Sequence, residues 1–408
     1  MGLRVLKPRI LKLLTFLTRK QAWLSPPEIA RSFRLDGEPV SERTLFRWFA
    51  LLEEELGLAY FPYPRVNLIG LADVHVNIQG LRSPAVLSSL PWAYSFWVEV
   101  GLDGRPFLSQ DYWIPGPALR TFQDYWTAAK DLGLVAAADI LPVRNTHFLF
   151  SPFHEVVRED GLVDFREEVD NEYFARLLGT HLREPYEVRV GERIAASPLV
   201  VPLVLEHLWR HCSSRQVWEA IRAKGVTNIL KQTRGPQAKA MRSEGSALRL
   251  LQGQWAGLLR HFREVFLQPV VFWPPGMLRN VALVSFALRA DSDDRVVDLA
   301  RRVSEQSVVT AVMPEAGPGA HCQMWCNPPS DRLPSVLRLL GEYHRGARPP
   351  TVGVVDLRAT RRAMQPTFCA FDWRSFDIES FAWRFEGEVY VERLKGLKAQ
   401  TVAGLPTS

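Results

Sequence analysis

The sequence predicts an α+β protein in which a helical unit and a βαββαβ unit each occur twice along the chain. Apolar residues recur at helical spacing in residues 8–57 and again in residues 197–268. Each helical stretch leads into an extended segment with aromatic residues and prolines, and strands and helices then follow in the order β-α-β-β-α-β. Repeated element order, rather than sequence identity between the halves, therefore defines the architecture.

Composition limits the class of protein. The chain has 408 residues, which is too long for one hydrophobic core, so at least two domains are expected. It is 47% hydrophobic and 23% charged, as globular proteins are. The sequence has no apolar run long enough to cross a bilayer and no recognisable secretion signal, and its four cysteines do not suggest a disulfide framework. We expect a cytoplasmic protein with no membrane partner.

The first helical unit contains a candidate reading helix. Residues 8–20 predict an amphipathic helix, and Ser41 is a natural N-cap for a helix over residues 41–57. Arg43 and Arg47 fall on the face of that helix opposite its apolar stripe. A short helix, a turn and a longer helix with a cationic back are typical of a helix-turn-helix, which presents its second helix to a DNA groove.

The first βαββαβ unit follows in residues 66–145. Alternating residues predict strands over 74–78, 94–100, 105–114 and 134–140, and helices are predicted over 83–90 and 117–133. Asp103-Gly104 is a hairpin signal between the second and third strands. This order is that of a ferredoxin-like sandwich. Its tryptophans are interpreted as core or subunit-interface residues: Trp92, Trp97, Trp113 and Trp126.

The second helical unit is strongly basic. Residues 205–263 contain 11 Lys/Arg and 3 Asp/Glu, a surplus of +8, whereas the whole chain has a net charge of +6. Such a local excess suits a polyanionic partner. The loop between its predicted helices carries four cations, namely Lys231, Arg234, Lys239 and Arg242.

The second βαββαβ unit spans residues 276–360, and a helix over 378–385 and a strand over 388–392 are predicted beyond it. His321, Cys322 and Cys326 raise the question of a zinc site. On a strand the two thiols point to one side and the imidazole to the other, and no second cysteine pair lies at zinc-finger spacing. We expect buried thiols, an ordinary histidine, no metal site and no cofactor.

Residues 24–33 and 41–48, followed by the sandwich, resemble Lrp/AsnC-type transcription regulators, in particular the archaeal-style variants with fused copies of the unit. This resemblance implies a tandem repeat of a winged helix-turn-helix and a ferredoxin-like domain for oligomerisation or effector sensing. The domains predicted are a winged helix-turn-helix (1–65), a ferredoxin-like domain (66–150), a linker (151–196), a second helix-turn-helix-like domain (197–275), a second ferredoxin-like domain (276–360) and a C-terminal extension (361–408).

The function that the resemblance implies is sequence-specific binding of double-stranded DNA by a homo-oligomeric transcriptional regulator, with a small-molecule effector left open. Helix 41–57 would read the groove, and residues 225–245 would contact phosphate. The predicted DNA-binding residues are Arg31, Arg43, Thr44, Arg47, Lys231, Arg234, Lys239 and Arg242.

Two other functions stay open from the sequence: an RNA-binding or ribonucleoprotein-associated protein, and an interaction scaffold that binds no DNA. RNA binding by the sandwich would need exposed aromatic residues on adjacent strands. Asp, Glu and His residues look scattered, without a spacing that identifies a general acid or base. The chain is therefore not expected to be an enzyme.

Overall fold

The computed structural model has a mixed α/β fold that divides into two compact units. Unit 1 comprises Met1–Ile69, Arg189–Met277 and Trp373–Trp383, and unit 2 comprises Gly70–Val188, Leu278–Asp372 and Arg384–Ser408. The structure describes residues 6–20, 24, 26–165, 169–191, 201, 219, 222, 243–261, 266–273, 277–317, 320–346, 350–356, 359–360, 375–377, 380 and 382–403. Helices and strands are numbered below in chain order over these residues.

Unit 1 begins with three helices, as predicted. Its described elements are α1 (Pro8–Thr18), α2 (Pro26–Ser32), β1 (Arg34–Leu35), β2 (Glu38–Pro39), α3 (Glu42–Ala50), β3 (Ala59–Pro64), α8 (Glu244–His261), β9 (Phe266–Phe272), β14 (Phe376–Asp377) and β15 (Ala382–Trp383). Ser41 caps α3, since its side chain accepts a hydrogen bond from the Thr44 backbone N–H. The chain stays helical beyond α3, as a π-helical segment over Leu51–Glu55.

The connection between α2 and α3 is a small hairpin rather than the plain turn that we expected. Leu35 pairs with Glu38, so Asp36 and Gly37 form a two-residue loop. Both have positive φ, 53° and 90°. Two successive residues with positive φ match the twist of a tight hairpin, and Asp-Gly is a favoured sequence for such a loop.

The two extended segments rich in prolines pair with each other. Strand β3 runs antiparallel to β9, with Tyr60 opposite Val271 and Phe61 opposite Val270. The extended segment after the first helical unit is thus one strand of a two-stranded sheet in unit 1. The predicted second helix-turn-helix lies mostly outside the described residues.

Unit 2 is built on one nine-stranded sheet. Its strands are β4 (Leu71–Gln79), β5 (Ala93–Gly101), β6 (Pro106–Pro115), β7 (Ala137–Val143), β8 (His147–Phe150), β10 (Val284–Arg289), β11 (Val309–Pro314), β12 (His321–Cys326) and β13 (Thr351–Val355). They lie in the order β7-β4-β6-β5-β13-β10-β12-β11-β8, and every neighbouring pair is antiparallel.

Each predicted βαββαβ segment supplies four adjacent strands. The first forms β7-β4-β6-β5 and the second forms β13-β10-β12-β11, so the fourth, first, third and second strands follow one another in both. The segments join where Val354 of β13 lies opposite Val100 of β5. At one edge, Val143 of β7 forms an isolated bridge with Glu315, which follows β11. Strand β7 is at one edge of the sheet, and β11 is next to the strand at the other edge. Because the residue after β11 pairs with β7, the sheet is curled.

Helices cover one face of this sheet. The described helices of unit 2 are α4 (Ala85–Ser88), α5 (Leu119–Asp131), α6 (Phe153–Val156), α7 (Glu172–Arg183), α9 (Asp293–Ser304), α10 (Leu333–Tyr343) and α11 (Gly387–Ala403). Tyr112 of β6 contacts Phe122 of α5, with ring centroids 5.0 Å apart. The residues that alternate with Tyr112 along β6 point to the opposite, inner face of the curled sheet.

The C-terminal extension differs from the prediction. Residues 388–392 lie within helix α11 and are not a strand. Tyr390 and Leu394, four residues apart and thus on one helical face, are both buried. The Tyr390 hydroxyl accepts a hydrogen bond from the indole of Trp92. Packing in unit 2 therefore overrides the strand-like alternation of Glu388-Val-Tyr-Val-Glu392.

Candidate active site

The inner face of the unit 2 sheet carries polar side chains at alternate positions of neighbouring strands. His75 of β4 lies opposite Asp111 of β6, and Asn77 lies opposite Ser109. Strand β5 adds Ser95 opposite Asp111. Opposed residues of antiparallel strands point to the same face, so the register brings these side chains together.

His75 lies at the centre of this network. Its Nδ1 is 2.7 Å from Asp111 Oδ1, and its Nε2 is 3.1 Å from Asn77 Oδ1. Both ring nitrogens thus face oxygen acceptors, which favours the doubly protonated imidazolium. Burial alone lowers the pKa of His75, but the hydrogen bond and charge of Asp111, the charge of Glu99 and the Asn77 hydrogen bond together raise it above its ordinary value.

Hydrogen bonds fix the two acceptors of His75. The Ser95 hydroxyl donates to Asp111 Oδ2, and the Ser109 hydroxyl donates to Asn77 Oδ1 at 2.7 Å. Asp111 is almost fully buried, and a buried carboxylate is stable only with a positive partner or several donors. Asp111 has both, so it holds the imidazolium in place.

Glu99 is a second ionisable group in this interior. Its side chain is 0% exposed, and its Oε2 accepts a hydrogen bond from the hydroxyl of Ser285, on the second half of the sheet. Burial raises the pKa of Glu99 to about 7, while the nearby hydroxyls of Ser109 and Ser285 and the charge of His75 oppose the rise. Glu99 therefore exchanges a proton near neutral pH.

Asp73 is a third ionisable group in this interior, and it lies two residues before His75 on β4. The Tyr94 hydroxyl donates to its Oδ1 and the Thr146 hydroxyl to its Oδ2, both at 3.1 Å. Burial and the charge of Asp111 raise the pKa of Asp73 to about 8, against the opposing effects of the two hydroxyls and of His75. Asp73 is therefore mostly protonated at pH 7.

Aromatic rings form a wall of the same interior. The ring of Trp325, from β12, lies 5.5 Å from that of Trp97 and 6.2 Å from that of His75. Trp325 and His75 come from strands five places apart, so the curl of the sheet brings them into contact. Ser95 and Trp97, on the same face, remain half-exposed.

This arrangement is suited to proton transfer. Groups whose pKa values are moved close to neutrality by burial and by charged neighbours are typical of catalytic sites. The site combines a histidine whose pKa is raised above its ordinary value, a carboxyl with a pKa of about 8 and a carboxyl with a pKa of about 7. It can donate a proton, accept one and stabilise a developing negative charge.

The DNA-binding residues predicted from the sequence lie elsewhere, in unit 1. Arg43 and Arg47 are exposed on α3, as expected for that helix face. Arg31 is exposed on α2, where its Nε donates to the Pro27 carbonyl at 3.3 Å. Thr44 contributes its backbone N–H to the Ser41 cap. The other four predicted residues, Lys231, Arg234, Lys239 and Arg242, lie outside the described residues.

The thiols considered for zinc are buried in β12 of unit 2. Cys322 and Cys326 are free, and burial raises the pKa of both thiols. Among the described residues, no group of three or more His, Cys, Asp or Glu side chains is arranged to hold a metal ion. In the same part of the chain, no helix has the length and apolar character needed to cross a membrane.

Sequence reasoning missed the inner-face cluster, although a signal for it was present. Asp73, His75 and Asn77 alternate along β4, as do Ser95, Trp97 and Glu99 along β5. Polar residues at period two usually mark the solvent face of an antiparallel sheet. Here that face is the interior of a curled sheet, so the same pattern marks a buried site.

Comparisons with known proteins give only distant structural matches. No protein-family model matches the chain, and no curated protein matches it. The solved structure of the siroheme decarboxylase NirDL aligns with 10% identity over 96% of this chain and 99% of that chain, with a TM-score of 0.42. NirDL in complex with an iron-uroporphyrin III analogue aligns with 9% identity over 85% and 90%, with a TM-score of 0.39. An anthrone oxidase-like protein aligns with 7% identity over 73% and 94%, with a TM-score of 0.29.

Two expectations from the sequence are corrected. The prediction of a DNA-binding transcriptional regulator is wrong. The solved structures that align are described as a decarboxylase and an oxidase-like protein, and no family model matches the chain. The expectation that the chain is not an enzyme is wrong for the same reason. The sequence analysis found no candidate acid or base because these residues are far apart in sequence and come together only in the fold of unit 2. Of the four tryptophans named above, only Trp97 and Trp113 lie on the sheet, and Trp113 is buried whereas Trp97 is half-exposed.

Proposed function

We propose that the chain is an enzyme that catalyses proton transfer on a small polar substrate bound against the inner face of the unit 2 sheet. The observation that carries the proposal is the buried pair of Glu99, with its pKa of about 7, and the His75 imidazolium held by Asp111. Burying ionisable groups costs free energy, so such a cluster is unfavourable for folding alone. Function is the usual reason for accepting this cost.

Each residue has a role in this proposal. Glu99 is the group that gives or takes the proton, because a catalytic acid or base works best with a pKa near the operating pH. His75 stabilises negative charge that develops on the substrate. Asp111 is a positioning residue that keeps His75 charged and oriented. Asp73, protonated at neutral pH, supplies a hydrogen-bond donor.

We also infer that the chain is a tandem repeat of a winged helix-turn-helix and a ferredoxin-like domain, as the sequence predicts. The equal strand order of the two halves supports a repeated ferredoxin-like unit, and the three-helix start supports a winged helix-turn-helix in unit 1. The domain boundaries given above remain predictions. We propose in addition that the protein is a homo-oligomer in the cytoplasm.

The test is a substrate search in heavy water. Purified protein is incubated with a fractionated cell extract of small molecules in ²H₂O, and mass spectrometry records compounds that disappear, appear or gain deuterium. Proton transfer to carbon leaves deuterium in the product, which identifies the reaction class even when the substrate is not chosen in advance.

Matched variants make this search specific. Glu99→Gln keeps the shape of the side chain and removes its ionisation, whereas Glu342→Gln makes the same change at an exposed site on α10. We expect a compound that changes with the wild-type protein and with Glu342→Gln, but about 100-fold or more slowly with Glu99→Gln. Equal changes with all three proteins, or none with the wild type, would overturn the proposal.

A further inference from the structure

The Glu99 side chain of unit 2 crosses a neighbouring strand. Glu99 lies on β5, and its carboxylate accepts a hydrogen bond from Ser285 on β10. Strand β13 lies between these two strands, since it pairs with β5 on one side and with β10 on the other. Neighbouring strands are about 4.8 Å apart, so the carboxylate reaches across β13 into the second half of the sheet.

A glycine in β13 makes room for this crossing. Gly353 lies directly opposite Ser285 on β10 and directly opposite Gly101 on β5, so the three residues form one row across the sheet. A Cβ atom at residue 353 would collide with the Glu99 carboxylate and with the Phe107 ring. A side chain at this position would therefore push the carboxylate away from Ser285.

Two buried hydroxyl groups, one from each half of the sheet, lie beside the Glu99 carboxylate. Ser109 comes from β6 and is 0% exposed, and Ser285 comes from β10 and is 1% exposed. A hydroxyl has one proton to donate. Ser109 must divide its proton between Glu99 and Asn77, to which it donates at 2.7 Å, whereas the Ser285 hydroxyl has Glu99 as its only partner among the described residues. Ser285 is therefore the donor committed to Glu99.

We propose that Ser285 is a positioning residue that holds the Glu99 carboxylate from the second half of the sheet, and that Gly353 is the opening through which it does so. This inference rests on the proposed function, because it names the residues that orient the group to which proton transfer is assigned. It makes the two halves of the sheet one site: the first half supplies the acid, and the second half fixes its orientation and its proton affinity.

Removal of the Ser285 hydroxyl has a definite electrostatic effect. Burial raises the pKa of Glu99 to about 7, and the hydroxyls of Ser109 and Ser285 oppose this rise. The charge of His75 opposes it as well, whereas the charge of Asp111 adds to it. A hydrogen bond donated to a carboxylate favours the charged form, so the loss of one donor raises the pKa further, by about one pH unit.

The test measures the titration of Glu99 in the full chain. Protein labelled with ¹³C at the carboxyl carbon of glutamate side chains is titrated by NMR, and the Glu99 signal is the one that Glu99→Gln lacks. We expect Ser285→Ala to raise the midpoint of this signal by about one pH unit, which is about a tenfold increase in proton affinity. The matched control is Ser89→Ala, which removes a buried hydroxyl bonded to Tyr125 in the helical layer and should leave the midpoint unchanged.

Gly353→Ala breaks the same contact by a different route. Its methyl group occupies the space of the carboxylate, so Glu99 is separated from Ser285 although the hydroxyl is still present. We expect the midpoint to rise in this variant too. Adding Ser285→Ala to Gly353→Ala should raise it little further, because the hydrogen bond is already lost. Full, additive shifts from the two substitutions would contradict the crossing over β13.

The outcomes separate this inference from the proposed function. An unchanged Glu99 midpoint in folded Ser285→Ala overturns the positioning role, even if the substrate search finds a reaction that depends on Glu99. Circular dichroism verifies folding; if Ser285→Ala does not fold, an unchanged midpoint in Gly353→Ala overturns the role instead. A midpoint that rises, together with a reaction whose pH profile moves by the same amount, supports both proposals. A midpoint that rises when no such reaction is found leaves the positioning intact and ends the proposal of catalysis.

Discussion

Replacement of Asp73 by asparagine tests the electrostatics of the site directly. Asp73 is buried in unit 2, and its pKa is raised from 3.8 to about 8. Between these values the folded chain holds a proton that the unfolded chain has lost. The free energy of unfolding must therefore fall as the pH rises from about 4 to about 8. At about 1.4 kcal/mol for each pKa unit, the loss is of the order of 3–6 kcal/mol, a large share of the stability of a typical protein.

The asparagine side chain mimics the protonated acid, so the Asp73→Asn variant should lack this loss. Its amide oxygen can still accept from Tyr94, and its amide N–H can donate to the Thr146 hydroxyl. We expect the stability of Asp73→Asn relative to the wild type to be greater at pH 9 than at pH 5 by about 3 kcal/mol or more. Urea unfolding followed by tryptophan fluorescence at the two pH values measures this difference.

The matched control is Asp139→Asn, at an exposed position on the adjacent strand β7. It should lose stability between pH 5 and pH 9 as the wild type does. If Asp73→Asn also shows the full wild-type loss, then burial does not hold a proton on Asp73. The account of the inner face as a cluster of tuned acids would then be refuted.

Three further predictions concern other parts of the structure. Asp111→Asn should lower the pKa of His75 below its ordinary value, because burial then outweighs the remaining raising effects; ¹⁵N NMR of the imidazole measures it, and an unchanged titration contradicts the pairing. Ser41→Ala should destabilise α3 by about 1 kcal/mol through loss of the N-cap, visible as faster hydrogen exchange of its first amides. Gly353→Ala should destabilise unit 2 by about 1–3 kcal/mol, since the added methyl group meets the Glu99 carboxylate and the Phe107 ring. Gly341→Ala, where nothing lies within 4 Å of the added methyl group, should not, and equal urea midpoints for the two glycine variants would be contrary evidence.

Local signals in the sequence were sufficient for most elements of the fold. Alternation identified β4, apolar spacing identified α5, and Asp103-Gly104 identified the β5–β6 hairpin. These signals depend on neighbouring residues only, so they are readable without the fold. Helix α11 shows the limit, because its short alternating stretch became helical through packing on distant parts of unit 2.

The candidate site depends on contacts that no local pattern contains. His75 and Asp111 are 36 residues apart and meet only through the register of β4 and β6. Trp325 reaches His75 only because the sheet curls. The sequence showed polar alternation but not whether that face met solvent or the protein interior, and this choice depends on the whole sheet.

The two halves of the sheet place different chemistry on the same face, and electrostatics gives a reason. Strands β4, β5 and β6 contribute Asp73, His75, Glu99 and Asp111, whereas β10 and β12 contribute the neutral side chains of Ser285, Gln323 and Trp325 in the buried part of that face. Each added ionisable group in a shared interior would have to be paired or neutralised at a cost. A second copy of the charged set would shift the pKa values of the first away from neutrality, because like charges raise one another's carboxyl pKa values. Buried ionisable groups with pKa values near 7 are therefore compatible with this interior only if they are concentrated in one half of the sheet and the other half contributes neutral side chains.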